Sequence, residues 1–354
     1  MVAQSRGSIF FGRAGQPVRR RVWTFLLCVV TCFFGAIPLA GALTIKLGTL
    51  APIGSPWEVG LRRIAADWDR ISDGSVTLRI YAGGIAGDEP DMIRKMRIGT
   101  LNAAGITVSG LQGIFKGFKT LSYPLLVRSD GELAYVLDHM KPFFEQELQK
   151  RGFHAIMWSP GGWVYLFSRR PVIYPNDLKS QRLWVWSGDP DEIQAYQRAG
   201  FQTVTLAVTD LMTSLQGGMA DALVTSPLLA ASNQWFGVVN NMSTLKLGPL
   251  WGATVITDKT WSEVQPDLRQ ELMDAAQKVA DSLTPELVKA DDQAIEIMKK
   301  FGLVINKVPP EAEAEWADLL DKTFSGLVGT TYDTDSFEMA TKYLNGYLAS
   351  HPRL

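Results

Sequence analysis

Two tryptophans set two residues apart, Trp184 and Trp186, stand in the run Arg182-Leu183-Trp184-Val185-Trp186. If this run is extended, Arg182, Trp184 and Trp186 share one face and Leu183 and Val185 the other, because side chains alternate along a strand. Such a face suits binding: indoles stack and cover a ligand, and a guanidinium can pair with an acid. Groups that could catalyse are sparse. After the first 42 residues the chain holds His139, His154 and His351, no cysteine, no HExxH and no GxSxG elbow. The carboxylate pairs Asp88 with Glu89 and Asp189 with Glu192 have the types for acid-base work. Each reads better as a helix start, where acids suit the helix dipole. A binding module is favoured over a secreted enzyme, and no metal or cofactor motif is present.

The tryptophan strand must be positioned by its neighbours. Asn176 to Gly200 reads as turn, strand and helix, with Asp189 as N-cap, Pro190 at the first helical position, Glu192 completing a capping box and Gly200 as the stop. Thr203 to Trp235 then gives a strand, a short helix closed by Gly217 and Gly218, a strand over Ala222 to Thr225 and a Pro-started helix. Upstream, Leu43 to Leu50 alternates as an edge-compatible strand, Ser55 and Pro56 open a helix through Ile71, and Val76 to Tyr81 is a second strand. Gly83 to Leu111 reads as loop, helix, Gly turn and strand. This β-α-β-α-β order predicts an open, mostly parallel sheet covered on both faces, with ligand sites at its βα junctions. Ser129 to Arg151 is helical with a break at Pro142, and Phe153 to Ser168 reads as two strands split at Ser159 to Gly162 that cross between domains. Ser262 to Lys300 carries two helical patterns joined at Thr284-Pro285, and Pro310 to Phe324 and Ser336 to Leu348 are further helices. The glycine pairs Gly83-Gly84 and Gly161-Gly162 suit turns and close packing, because no phosphate-binding pattern surrounds them.

The first 42 residues read as an export signal: Arg19 to Arg21, an apolar run from Val22 to Ala40, and the small-residue site Ala40-Gly41-Ala42, with cleavage expected after Ala42. An uncleaved anchor is the alternative. Both cysteines, Cys28 and Cys32, fall in this segment, so the remainder holds no thiol chemistry. Removing it takes five arginines and no acids from the 35 basic and 36 acidic residues, leaving a net charge near −6. No basic patch argues for nucleic acid.

In order and spacing, several motifs together resemble the periplasmic substrate-binding subunits of tripartite ATP-independent periplasmic (TRAP) transporters, the DctP-like family. They are APIGSPW (Ala51 to Trp57), GGIAGDE (Gly83 to Glu89), YPLL (Tyr123 to Leu126), RRPV (Arg169 to Val172), PNDLKSQRLWV (Pro175 to Val185) and SLQGGMADALVTSP (Ser214 to Pro227). The resemblance implies a two-lobed α/β fold with mostly parallel sheets, a cleft between the lobes and long C-terminal helices. It implies lobe I over residues 43–167 with roughly 250–290 returning to it, and lobe II over 168–249 with the helices of roughly 291–354. It implies a periplasmic receptor that closes on a small molecule and hands it to TRAP membrane permease subunits, with no cofactor. A further soluble periplasmic partner and a sensory use of the same fold stay open.

In that family the strand after the DLKG-like turn usually carries an arginine that forks onto the substrate carboxylate; here Trp184 takes the matching position. Arg182 stands two residues earlier, and Trp163 occupies a second position that is often basic. Without the guanidinium a buried carboxylate would lose about 3 to 5 kcal/mol, or roughly 10²- to 10³-fold in affinity. Each indole instead brings about 150 to 250 Å² of buriable surface. The expected cargo is therefore apolar or ring-containing, and tight binding of succinate or malate would contradict it. The alternative is an organic acid held by a relocated basic anchor. The candidate site comprises Trp184, Trp163, Trp186, Trp57, Arg182, Thr225, Ser226, Trp235 and Trp251. Arg182 reads also as half of a surface ion pair, and Trp158 and Trp235 as packing residues. Thr225 and Ser226 are candidate donors to a ligand's polar end.

Overall fold

The computed structural model describes residues 42–186 and 190–353. The expected export signal with its two cysteines, and the expected cap Asp189, lie outside these described residues.

The chain enters through β1 (Leu43–Thr49), α1 (Pro56–Ile71) and β2 (Val76–Tyr81). Ser55 caps α1 as its type predicts, its hydroxyl accepting the N–H of Glu58 at 3.4 Å with Pro56 next in line. After α2 (Glu89–Arg97) come β3 (Ala103–Thr107) and the single turn α3 (Val108–Leu111). Strand β1 pairs in parallel with β2 from Leu43↔Val76 and with β3 from Leu47↔Ala103. It is thus an interior strand rather than the edge that its alternation allowed, and Ile45 and Leu47 are wholly buried.

A 3₁₀ segment, Lys116–Ser122, leads to α4 (Asp130–Gln149) and β4 (Phe153–Ser168). Helix α4 runs through Pro142 without the expected break, held by Met140 and Phe144, which are fully buried on either side. Strand β4 is likewise one element, with register shifts at Ala155/Met157 and Pro160/Trp163 in place of the expected split into two strands. The second shift needs a glycine at 162: its φ is +85°, and a Cβ there would lie 2.0 Å from Oδ2 of Asp291.

The βα order resumes with α5 (Pro175–Lys179), β5 (Arg182–Trp186), α6 (Pro190–Arg198), β6 (Gln202–Leu206), α7 (Leu211–Gln216), β7 (Ala222–Thr225) and α8 (Pro227–Ser232). Strand β5 pairs in parallel with β6 along its whole length and with β7 at Leu183↔Ala222. Then follow β8 (Asn241–Ser243), β9 (Gly248–Thr257) and α9 (Asp258–Glu263). The sheet order is β2-β1-β3-β9-β4-β7-β5-β6. Two parallel wings flank an antiparallel centre, in which β9 pairs with β3 and β4, and β4 turns its last residues to β7 and β8. Those two central strands carry the chain between the wings.

Helix α10 (Pro266–Lys300) spans 35 residues, about 52 Å at 1.5 Å per residue. Its first half buries Leu272, Ala276, Leu283 and Leu287 against β1 and α1, and its second half buries Ala294 and Met298 with Phe167 and Leu211. The expected join at Thr284-Pro285 is continuous helix. A proline inside a helix costs about 3 kcal/mol, but burying Leu283 and Leu287 beside it returns about 1.5 to 3 kcal/mol each, so packing wins. After β10 (Val304–Asn306), helix α11 (Pro310–Phe324) packs Trp316, Leu320 and Phe324 onto Leu183 and Val185, and α12 (Thr334–Ser350) packs Ala340 and Leu344 with Met140 and Phe144 of α4.

Candidate functional site

Between the two wings lies a cavity of about 380 Å³, a size usual for small-molecule sites. One side is lined by Thr49 at the end of β1, Trp57 and Thr107, and the other by Trp184, Trp186 and Thr225. It therefore opens beyond the strand ends, where α/β sheets hold their ligands.

Strand β5 alternates as expected. Leu183 and Val185 are buried against α11 and Trp184 and Trp186 are half-buried on the other face, and residues of both faces line the cavity. The indole N–H of Trp184 donates to the Leu206 carbonyl at 3.0 Å, which fixes the ring. Trp57, at the start of α1, and Trp235, after α8, also line the space. Trp251 of β9 belongs to the cavity wall and to the core at once: it is 1% exposed, stacks on Phe144 at 5.8 Å and 18°, and lies 6.1 Å from Trp158. The ring nitrogens of Trp186 and Trp251 are covered and have no hydrogen-bond partner among the described residues. Thr225 ends β7 at the lining.

Three expected residues stand elsewhere. Trp163 is buried outside the cavity, its indole donating to Asp130 Oδ1 at 2.8 Å with the Lys246 ammonium 5.2 Å from the ring centre. Arg182 shares the face of Trp184 but sits at the far end of β5, where it forks onto Asp221 at 2.7 and 3.0 Å on the surface. This is the surface ion pair that was the alternative reading of Arg182. Ser226 is buried as the cap of α8, its hydroxyl accepting the N–H of Leu229 at 3.4 Å. The strand brings the indoles in; its entry point and the helix that follows β7 take the other two out.

The cavity also gathers ionisable groups that sequence reasoning passed over or assigned to helix starts. Lys119, in the 3₁₀ segment, is buried, lines the cavity, forms an ion pair with Glu192 and lies 5.5 Å from the centre of the Tyr332 ring. Among the described residues no arginine lines the cavity. The available signal was slight, a lysine set between Phe118 and Leu121 with polar Lys116, Thr120 and Ser122 close by. Glu192, expected in a capping box with Asp189, which lies outside the described residues, faces Lys119. Asp88 does cap α2, accepting the Glu89 N–H at 2.9 Å, and its other oxygen accepts the Val208 N–H at 3.2 Å from the opposite wing. Glu89 turns inward. Its carboxylate accepts the Thr107 N–H at 2.7 Å and the Thr107 hydroxyl at 2.8 Å, and burial pushes its carboxyl up to about 7 against the pull of those bonds. Burial, with Glu192 nearby, also holds the Tyr196 phenol in its neutral form. Among the described residues no cluster could hold a metal ion, and no helix is long and apolar enough to cross a membrane.

Residues 47–326 match the family of bacterial extracellular solute-binding proteins, family 7 (DctP). The chain belongs to this family. It is a TRAP-type solute-binding protein, and its family works as receptors rather than enzymes. A solute-binding protein of Roseobacter denitrificans is 25% identical over 265 residues, covering 71% of this chain and 78% of that one. Among solved structures, a TRAP periplasmic solute-binding protein of Desulfovibrio salexigens with bound orotic acid superposes with a TM-score of 0.79 at 20% identity, covering 87% of this chain and 99% of that one. One from Xanthobacter autotrophicus with bound β-D-galacturonate gives 0.79 at 14% identity, covering 85% and 99%. The DctP-family chain therefore has the two-lobed α/β fold that its motifs implied.

Proposed function

We propose that this protein is a periplasmic receptor for a small organic acid with a flat or apolar body, which it delivers to a TRAP membrane permease. The observation that carries this reading is the placement of Lys119 in a cavity walled by tryptophans. A relocated cation can meet a carboxylate where the family arginine is missing, and the indoles cover the rest of the ligand. The acids bound by the D. salexigens and X. autotrophicus proteins support the same class. The purely apolar cargo suggested by Trp184 at the arginine position gives way to an acid, while the aromatic wall keeps its role. A lysine is a point charge and lacks the two-pronged geometry of a guanidinium, so this reading predicts affinity that depends more on ring stacking than on the ion pair.

Delivery requires opening. The moving bodies we assign are residues 43–167 with roughly 250–290 and α12, and residues 168–249 with roughly 291–333, hinged where β4 and β9 cross; α12 leaves the lobe II expected for roughly 291–354 because Ala340 and Leu344 pack with Met140 and Phe144 of α4. The Asp88 to Val208 hydrogen bond and the Lys119 to Glu192 pair would then separate as the lobes part.

Tryptophan emission and thermal shift test the reading. A ring acid such as orotate should shift emission and raise Tm, and Lys119→Met should weaken it roughly tenfold or more. Response to uncharged apolar rings with none to acids would overturn it.

A further inference from the structure

The charges around the cavity do not suit an acid that carries nothing else. Among the described lining residues Lys119 is the cation, and Glu89 and Glu192 are the acids. Lys119 and Glu192 form an ion pair, so their charges cancel locally. Glu89 is placed differently. Thr107 supplies the N–H and the hydroxyl that its oxygens accept, and among the described residues no cationic side chain pairs with it. A purely anionic ligand would bring its charge into a dry space that already holds this carboxylate, and like charges repel strongly there. The surrounding wall offers Trp57, Trp184, Trp186 and Trp235. Indole faces attract cations, and aromatic enclosures are the usual way that proteins hold quaternary ammonium groups.

We propose that the cargo is a zwitterion, an organic acid that also bears a cationic nitrogen, with the nitrogen held between Glu89 and the tryptophan faces and the carboxylate directed to Lys119. This inference rests on the receptor reading above and narrows its ligand class. The arrangement gives each charge of the ligand a partner of opposite sign, and it brings Glu89, whose oxygens otherwise meet the N–H and hydroxyl of Thr107 and the N–H of Gly110, a cation. It also disfavours dicarboxylates, whose second charge would find no cation. Burial holds the Glu89 carboxyl up to about 7, with Asp88 as the charged neighbour that adds to the rise. A cationic nitrogen arriving beside it favours the ionised form, so binding near neutral pH should release part of a proton and tighten as pH rises through about 7.

Three probes of matched ring size test the proposal: N-methylnicotinate as zwitterion, benzoate as acid alone and N-methylpyridinium as cation alone. Calorimetry should find the zwitterion at least tenfold tighter than either of the others. In buffers of different ionisation enthalpy at pH 7, it should find proton release for the zwitterion and none for benzoate. Glu89→Gln should remove both the preference and the proton release and tighten benzoate about threefold or more, because the carboxylate that repels it is gone. Because the buffer comparison uses the unaltered protein, it stands even if this variant folds poorly. Benzoate binding as tightly as the zwitterion, or zwitterion binding without proton release, overturns the proposal and leaves the organic-acid reading intact. N-methylpyridinium binding as tightly as the zwitterion while benzoate fails overturns the acid reading instead. Binding by none of the three overturns both for cargo of this size.

Discussion

The aromatic wall and the ionisable floor of the cavity are held in place by different physics. Trp251 is fixed by what it touches, with Phe144 stacked at 5.8 Å and Phe118 and Trp158 completing its surroundings. Its contribution scales with buried area and is indifferent to pH. Lys119, Glu192 and Glu89 are fixed by partners, so removing one group strands another in a poorly solvated place. The wall can accept a variety of shapes at modest cost. The floor cannot accept a variety of charges. Stability should therefore follow the wall, while selectivity and pH response should follow the floor.

The largest expected effect tests the first half of that division. Trp251→Ala removes a side chain that is 1% exposed, and should lower unfolding stability by about 3 to 5 kcal/mol. Chemical denaturation at two pH values should find that loss nearly unchanged between them. A loss under about 1 kcal/mol would mean that the wall is not the structural member.

The next effect belongs to the floor. The Glu89 carboxyl rises from 4.5 to about 7 on folding, and Asp291, buried where it accepts the Leu228 N–H at 2.8 Å, moves in the same direction to about 7. Between their ordinary values and 7 the folded chain holds protons that the unfolded chain has released. Stability of the ligand-free protein should thus fall as pH rises from about 4.5 to 7 and level off above, by about 3 kcal/mol for Glu89 alone. Glu132, Glu147 and Asp221, whose carboxyls are lowered by basic partners, lose their contributions as pH falls below about 4.5 and so act in a different window. Denaturation midpoints across pH 4.5 to 8 check the sign. A flat profile, or one that Glu89→Gln leaves unchanged, would remove the floor's role in pH response.

The wall was legible in the sequence, and the floor was not. Alternation in Arg182 to Trp186 placed Trp184 and Trp186 on one face because strand geometry leaves no other option, and Ser55-Pro56 marked a helix start by local chemistry alone. The failures share a cause. Pro142 and Pro285 suggested breaks, but burial on either side outweighed a local penalty, and that burial depends on residues far along the chain. Glu89 and Glu192 looked like ordinary helix-start acids, since nothing within a few residues reveals Thr107 or Lys119 opposite them. Trp163 and Arg182 went astray because a resemblance assigns positions, whereas Asp130 and Asp221 had already engaged those side chains.

The smallest effects divide one face of one strand. Trp184 and Arg182 point the same way from β5, yet Trp184 lines the cavity and Arg182 meets Asp221 on the surface. Trp184→Ala should weaken the ligand by more than about 1.5 kcal/mol, roughly tenfold, because an enclosed aromatic contact is lost. Arg182→Ala should leave affinity unchanged and lower stability only slightly, as expected for an exposed pair. Parallel titrations of the two variants against the same ligand decide the matter. If Arg182→Ala weakens binding as much as Trp184→Ala, charge acts on the cargo from outside the cavity, and the separation between wall and floor would have to be redrawn to include the surface pair with Asp221.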